Sequence, residues 1–383
     1  MRLLVLTLFI FLNSLSSHAI MWNSNNSWDV SWEKKYEEWI EKTIDKDYFL
    51  KANFETDCAD AVIALRIIFS RKNSLPFLFT TSNGDQYSNL TDFPQVDNKP
   101  VDSSVEWMYD YSFRKRLQII LNSTSSKTII NDAYPVALNA SSIKPGVFFI
   151  HRFENSGHVD FIHRVVQGGK IMPIRMLSST VPKKSRELLE YPFYFVSVPE
   201  KNKTGFFKFK KVLENNGTVI HSSFQKEKDY SLTQYAVLPK DKQFDDYVSY
   251  LVLGVDLSMF SKTYDLLQLL DRKIKDRIEI VRSGFEFCVR NNCNENSMNY
   301  YNYSSPSRDS NIQYIILQLR QVIRESATSS DFAEISTLFS EYSKNIYKID
   351  RDKELDLNQI IEVWENAKYT SDPRDSVQRR WGI

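Results

Sequence analysis

Three residues in this chain have the types and neighbours needed to attack an acyl bond: Cys58, His158 and Asp160. Cys58 stands beside the first turn of a predicted helix in Asp57–Ser70 (DCADAVIALRIIFS). The free amides and macrodipole at such a helix end lower a thiol's pKa and can receive an oxyanion. His158 follows Gly157 and opens the strand-like run HVDFIHRV. An imidazole near the start of a neighbouring strand can face a helix end and act as base for the thiol. Strand alternation puts His158, Asp160 and Ile162 on one face and Val159, Phe161 and His163 on the other. His158 is therefore the expected base and His163 a structural residue. Asp160 joins the candidate set as a carboxylate on the same face, displaced along the strand. The next run, KIMPIRMLSST, offers Arg175, Ser178 and Thr180 as further groups that could orient the imidazole, so the orienting residue stays open. Asn53 reads either as an oxyanion donor or as a turn residue.

Other readings compete for the same residues. A cysteine opening an apolar helix is commonly a core residue. His151, His158 and Asp160 could instead hold a divalent cation, but their spacing fits no metal motif, and no metal or cofactor is assigned.

The elements that must position these groups are legible from periodicity. Trp28–Ile44 places Trp32, Tyr36, Trp39 and Ile40 at helical spacing. The Cys58 helix carries an apolar face of Ala61, Ala64, Leu65, Ile68 and Phe69, with Thr56 or Asp57 as N-cap and Asp60 in the first turn. A further helix is expected over about Ser104–Leu121. The chain has 10 glycines, and four of them (Gly146, Gly157, Gly168, Gly169) fall in one window of β-branched and aromatic runs. These runs, Val147–Arg152, His158–Val166 and Lys170–Leu177, predict antiparallel strands joined by turns, continued by Tyr191–Val198 and Gly205–Val212. The result is an α+β region with a cysteine-bearing helix packed on an antiparallel sheet. Helical periodicity resumes at Tyr247–Gly254, Phe260–Phe287, Ile312–Ser326 and Leu357–Ala367.

At these positions the chain resembles the papain-like cysteine hydrolases, especially the NlpC/P60-type cell-wall peptidases. The likeness rests on Asp57-Cys58 opening a helix, on Lys144-Pro145-Gly146 entering Val147-Phe148-Phe149, and on Gly157-His158-Val159 opening the next strand. It covers about 120 residues, from about 50 to 180. It implies a papain-like fold, Cys58 as nucleophile, His158 as general base, and a peptide or peptidoglycan substrate. Ala59-Asp60 stands where that family usually has Ser-Gly. The whole chain also resembles uncharacterised exported bacterial proteins with an Asp-Cys-Ala-Asp helix, a following Leu-Pro-Phe (Leu75-Pro76-Phe77) and a late Pro-Ser-Arg-Asp step (Pro306–Asp309). That wider likeness implies no activity. A catalytically inactive cell-envelope binding protein on the same fold is the alternative.

Composition bounds the rest. Arg2, the apolar run Leu3–Leu12 and Ser17-His18-Ala19 form a signal-peptide pattern, too short to span a bilayer core of about 30 Å. The expected organisation is a signal peptide over 1–19, a papain-like α+β domain over 20–240 and a helical accessory domain over 241–383. The product would be secreted or periplasmic with no membrane span. Lys and Arg number 49 against 48 Asp and Glu, so no cationic excess argues for nucleic acid. An aromatic content of 14% excludes a disordered chain. Sequons at Asn89, Asn139, Asn202 and Asn216 carry little weight. Cys288 and Cys293, separated by a polar turn, are expected to close a small disulfide, which leaves Cys58 as the odd thiol. Oligomeric state is not encoded.

Overall fold

A computed structural model of the chain describes residues 20–96, 101, 104–152, 157–166, 172–193, 199–201, 203–236, 243–291 and 293–383. Segment 1–19, expected as a signal peptide, the Gly168-Gly169 pair and the second half of the Tyr191–Val198 run lie outside the described residues.

The chain begins with α1 (Val30–Thr43), a short α2 (Tyr48–Lys51) and α3 (Cys58–Lys72). A hairpin of β1 (Leu78–Thr80) and β2 (Gln86–Ser88) precedes α4 (Tyr111–Ser123). Strands β3 (Ala133–Pro135), β4 (Phe148–Arg152), β5 (Gly157–Val165), β6 (Ile174–Ser178), β7 (Leu189–Pro192) and β8 (Gly205–Phe209) follow. They form an antiparallel six-stranded sheet in the order β3-β8-β4-β5-β6-β7. A second hairpin joins β9 (Val212–Asn215) to β10 (Thr218–His221). The remainder comprises α5 (Phe244–Leu253), the 32-residue α6 (Met259–Arg290), α7 (Met298–Tyr303), α8 (Pro306–Ser326) and α9 (Phe332–Tyr342). It ends with the hairpin of β11 (Ile346–Asp350) and β12 (Lys353–Asp356), then α10 (Leu357–Glu365) and α11 (Val377–Arg380).

The architecture is therefore α+β: the Cys58 helix lies on a multi-strand antiparallel sheet, and helices follow. Side-chain alternation explains how both sheet faces become dry. Phe148, Ile150, Val159, Phe161 and Phe207 point into a core shared with α1, α3 and α4. Their neighbours Phe149, Ile162, Met176 and Phe206 point the other way, into a core shared with α5, α6, α8 and α10. The C-terminal helices thus cover the sheet's second face.

Several elements differ from expectation, and α4 starts at Tyr111 rather than near Ser104. The α3 helix is not half-exposed: every residue from Cys58 to Arg71 is buried, since the sheet, α1 and α4 enclose it. Its polar residues are compensated by partners, Arg66 with Glu33 at 2.5 Å and Arg71 with Asp110 at 2.9 Å. The C-terminal part also contains α9 and the β11–β12 hairpin, which helical periodicity did not reveal. The hairpin's short, charge-rich strands bury only alternate side chains such as Tyr347 and Ile349, and α9 buries just Ile335 and Leu338. Cys288 and Cys293 are joined as a disulfide with a Cα–Cα distance of 5.3 Å, leaving Cys58 free. Asn89, one of the sequons, is fully buried, and its side-chain amide bonds Trp22, Ser24 and Glu214. Among the described residues no helix is long and apolar enough to cross a membrane.

The Arg66 guanidinium lies 3.3 Å over the Trp28 ring while pairing with Glu33, and so ties α1 to α3 through a buried ion pair. Breaking such a pair from one side leaves an uncompensated buried charge. Lys208 remains 3.7 Å from Glu33 and moderates that penalty. Arg66→Ala is expected to lower the unfolding free energy by about 3 kcal/mol in urea titrations followed by tryptophan fluorescence. A loss below about 1 kcal/mol would mean that apolar packing alone joins the two helices.

Candidate functional site

The first turn of α3 is locked by its own sequence. The Asp57 carboxylate accepts from the Asp60 amide at 3.1 Å, and the Asp60 carboxylate accepts from the Asp57 amide at 3.2 Å, a reciprocal capping box. The Cys58 and Ala59 amides are then the first-turn donors that lack an intrahelical partner. Asp60 is itself sealed and pairs with Lys183 at 2.7 Å. Burial, and next the neighbouring Asp57 charge, push its carboxyl up to about 7, against the pull of Lys183.

The segment before Cys58 is fastened to the end of β6. Thr56 forms a backbone bridge with Lys184, and its hydroxyl donates to Ser179 Oγ at 3.2 Å. Ser179 Oγ donates in turn to the Thr56 carbonyl at 3.0 Å. Adjacent Ser178 donates its hydroxyl to the Ser179 carbonyl at 2.9 Å, and its oxygen lies 3.0 Å from His158 Nε2. A short polar run at one strand end therefore touches both the cysteine's helix and the histidine.

Asp160 lies on the same strand face as His158, and Oδ1 is 2.7 Å from His158 Nε2. The Tyr191 hydroxyl donates to that same oxygen at 2.5 Å, and His151 Nε2 lies 3.1 Å from Oδ2. Burial alone would raise the Asp160 carboxyl. The His158 charge, helped by hydrogen bonds from both histidines, instead holds it well below the usual carboxylate range. His158 responds in the opposite sense. Burial opposes its charge, but Asp160 and then the Cys58 sulfur, which also hydrogen-bonds the ring, raise it to about 10. His151 moves down because burial dominates there.

The other sequence candidates are placed elsewhere. His163 lies 3.9 Å from Glu190, at a β-bulge in the β5–β6 pairing and away from the Asp160 cluster. Arg175 pairs with Asp265 at 3.2 Å, and Thr180 accepts from Arg308 at 2.7 Å. Asn53 occupies an exposed left-handed turn at φ 44°, where its carbonyl accepts from Arg114. Among the described residues no group of three or more His, Cys, Asp or Glu is arranged to hold a metal ion.

A cavity of about 330 Å³ opens beside His158 and Asp160, between the sheet and the C-terminal helices. Its walls include Tyr191 from β7, Lys273 from α6, Tyr301 from α7 and Arg308 from α8. The His158 side chain is 31% exposed, whereas Cys58 is only 6% exposed. Sequence reasoning did not single out Tyr191, Lys273 or Tyr301. Tyr191 read as one aromatic in a strand, Lys273 sits in an ordinary helical pattern, and Tyr301 falls between the helices that periodicity marks. Pro306–Asp309 divides its roles: Arg308 faces the cavity, while Asp309 is buried on the Arg277 guanidinium.

These environments fix a titration. His158 ordinarily has a pKa of about 6.5, so its raised value adds stability that is complete below that pH and fades as pH rises towards 10. Imidazole ¹⁵N shifts are expected to show His158 still charged at pH 8 in the native protein. Asp160→Asn and Cys58→Ala should each lower the midpoint. An unchanged midpoint in Asp160→Asn would exclude the carboxylate as its cause.

Comparisons with protein-family models, with curated proteins and with solved structures return no significant match to this chain.

Proposed function

We propose that this chain is an exported thiol-dependent hydrolase that cleaves an amide bond, on a papain-like fold akin to the NlpC/P60-type peptidases, with cell-wall peptides as the favoured substrate. The observation that carries this reading is the His158 ring, whose charge is favoured both by a buried carboxylate and by the Cys58 sulfur at a capped helix N-terminus. Export is supported by the charged, apolar and small-residue pattern of Met1–Ala19.

In this scheme His158 already holds the Cys58 proton before substrate arrives, and the thiolate attacks the substrate carbonyl carbon. The carbonyl electron pair moves onto oxygen, and the free amides of Cys58 and Ala59 are the donors available to it. Collapse of the adduct expels the amine, which takes the proton back from His158 and leaves a thioester. Water then attacks the thioester with His158 again as base, releasing the acid and the thiol. Asp160 keeps the imidazole oriented and stabilises its charge, and Ser178 and Tyr191 hold that arrangement.

The low exposure of Cys58 favours a second reading, a catalytically inactive binding module of the cell envelope. Alkylation separates the two. Under the hydrolase reading, iodoacetamide at pH 6 modifies Cys58 faster than a free thiol, and His158→Ala removes that advantage. Purified peptidoglycan should release peptides with the wild type and none with Cys58→Ala, while His158→Ala slows release by about 10²–10⁴-fold. Labelling no faster than a free thiol would favour the binding module, and rapid labelling without release would discard only the favoured substrate.

A further inference from the structure

The charges facing the cavity can be paired off one by one. Asp160 is matched by His158 at 2.7 Å, and Asp276 by Arg308 at 3.0 Å. Arg308 is further committed to the Thr180 hydroxyl and the Val181 carbonyl. Lys273 is what remains. It lines the same cavity from α6, and among the described residues it makes no hydrogen bond or ion pair. Its ammonium sits 4.4 Å from the centre of the Tyr191 ring, whose hydroxyl bonds Asp160. The ring quadrupole attracts that charge but supplies no anion to neutralise it.

Resting on the hydrolase reading above, we propose that Lys273 is the anion anchor of this site and that the substrate is a peptide bearing a free carboxylate near the scissile bond. An unmatched ammonium in a partly enclosed cavity is stabilised when an anion enters, and a carboxylate suits it in size and charge. Burial already pulls Lys273 below its ordinary pKa, against the attraction of Asp160 and Asp276. Those two carboxylates are occupied by their own cations and do not neutralise Lys273. The arrangement also defines direction: the carboxylate lies on the α6 side of the cavity, across from the strand that carries His158. Lys273 is a substrate-positioning residue that takes no proton in the reaction.

Affinity alkylation tests this without knowledge of the natural substrate. Three reagents share one bromoacetyl electrophile: bromoacetyl-alanine, with a terminal carboxylate; bromoacetyl-glutamic acid α-amide, with a side-chain carboxylate; and bromoacetyl-alaninamide, which is neutral. At least one acidic reagent is expected to alkylate Cys58 about tenfold faster than the neutral one, and whichever is preferred identifies the source of the carboxylate. Lys273→Met should abolish the preference, read as the ratio of acidic to neutral rates within the same variant, and Lys273→Arg should retain it. Equal rates for all three reagents, or a preference that survives Lys273→Met, would overturn the anchor while rapid neutral labelling keeps the hydrolase reading. Neutral labelling no faster than a free thiol would instead bring down the hydrolase reading, and the anchor with it.

Discussion

The buried Asp160 carboxylate is the constraint around which the site is organised. It is 3% exposed and meets His158, His151 and Tyr191, groups drawn from three different strands. A charge in such a place is tolerable only when its lone pairs are satisfied, and each partner is thereby fixed in return. The sheet supplies the geometry. His151 and His158 stand opposite each other in the β4–β5 register, and Tyr191 pairs with Met176 on the far side of β6.

The same constraint links the two halves of the chain. Asp160 lies on the sheet face that the C-terminal helices cover, while the α3 core lies on the other. The cavity forms where the polar end of β5 interrupts that second core. There α6, α7 and α8 supply Lys273, Tyr301 and Arg308 rather than apolar side chains. The Arg277–Asp309 pair, buried under Trp364 and Trp381, holds α6 and α8 in register behind it. Arg308 thus enters the cavity from a helix whose next residue is anchored in the core.

The α3 helix illustrates how local and tertiary effects divide. Its start is a local matter, because Asp57 and Asp60 complete a capping box within four residues. Its environment is not local. The sequence pattern suggested one apolar face, but Arg66 and Arg71 are carried into the interior by partners 33 and 39 residues away. No window short enough to show helical periodicity contains both members of either pair.

Sequence alone determined the helix that opens at Cys58, the glycine-led strand that carries His158, the shared strand face of His158 and Asp160, and the long helices α6 and α8 after the sheet. Each follows from capping chemistry or from a period of 3.6 or 2 within one segment. Tertiary structure decided which polar groups meet: Ser178 with His158, Tyr191 and His151 with Asp160, and Lys273 in the cavity with no ion-pair partner among the described residues. Those outcomes depend on strand register and on the docking of helices more than a hundred residues away. Many side-chain sets satisfy the same local pattern, and only the assembled sheet with both faces covered selects one of them.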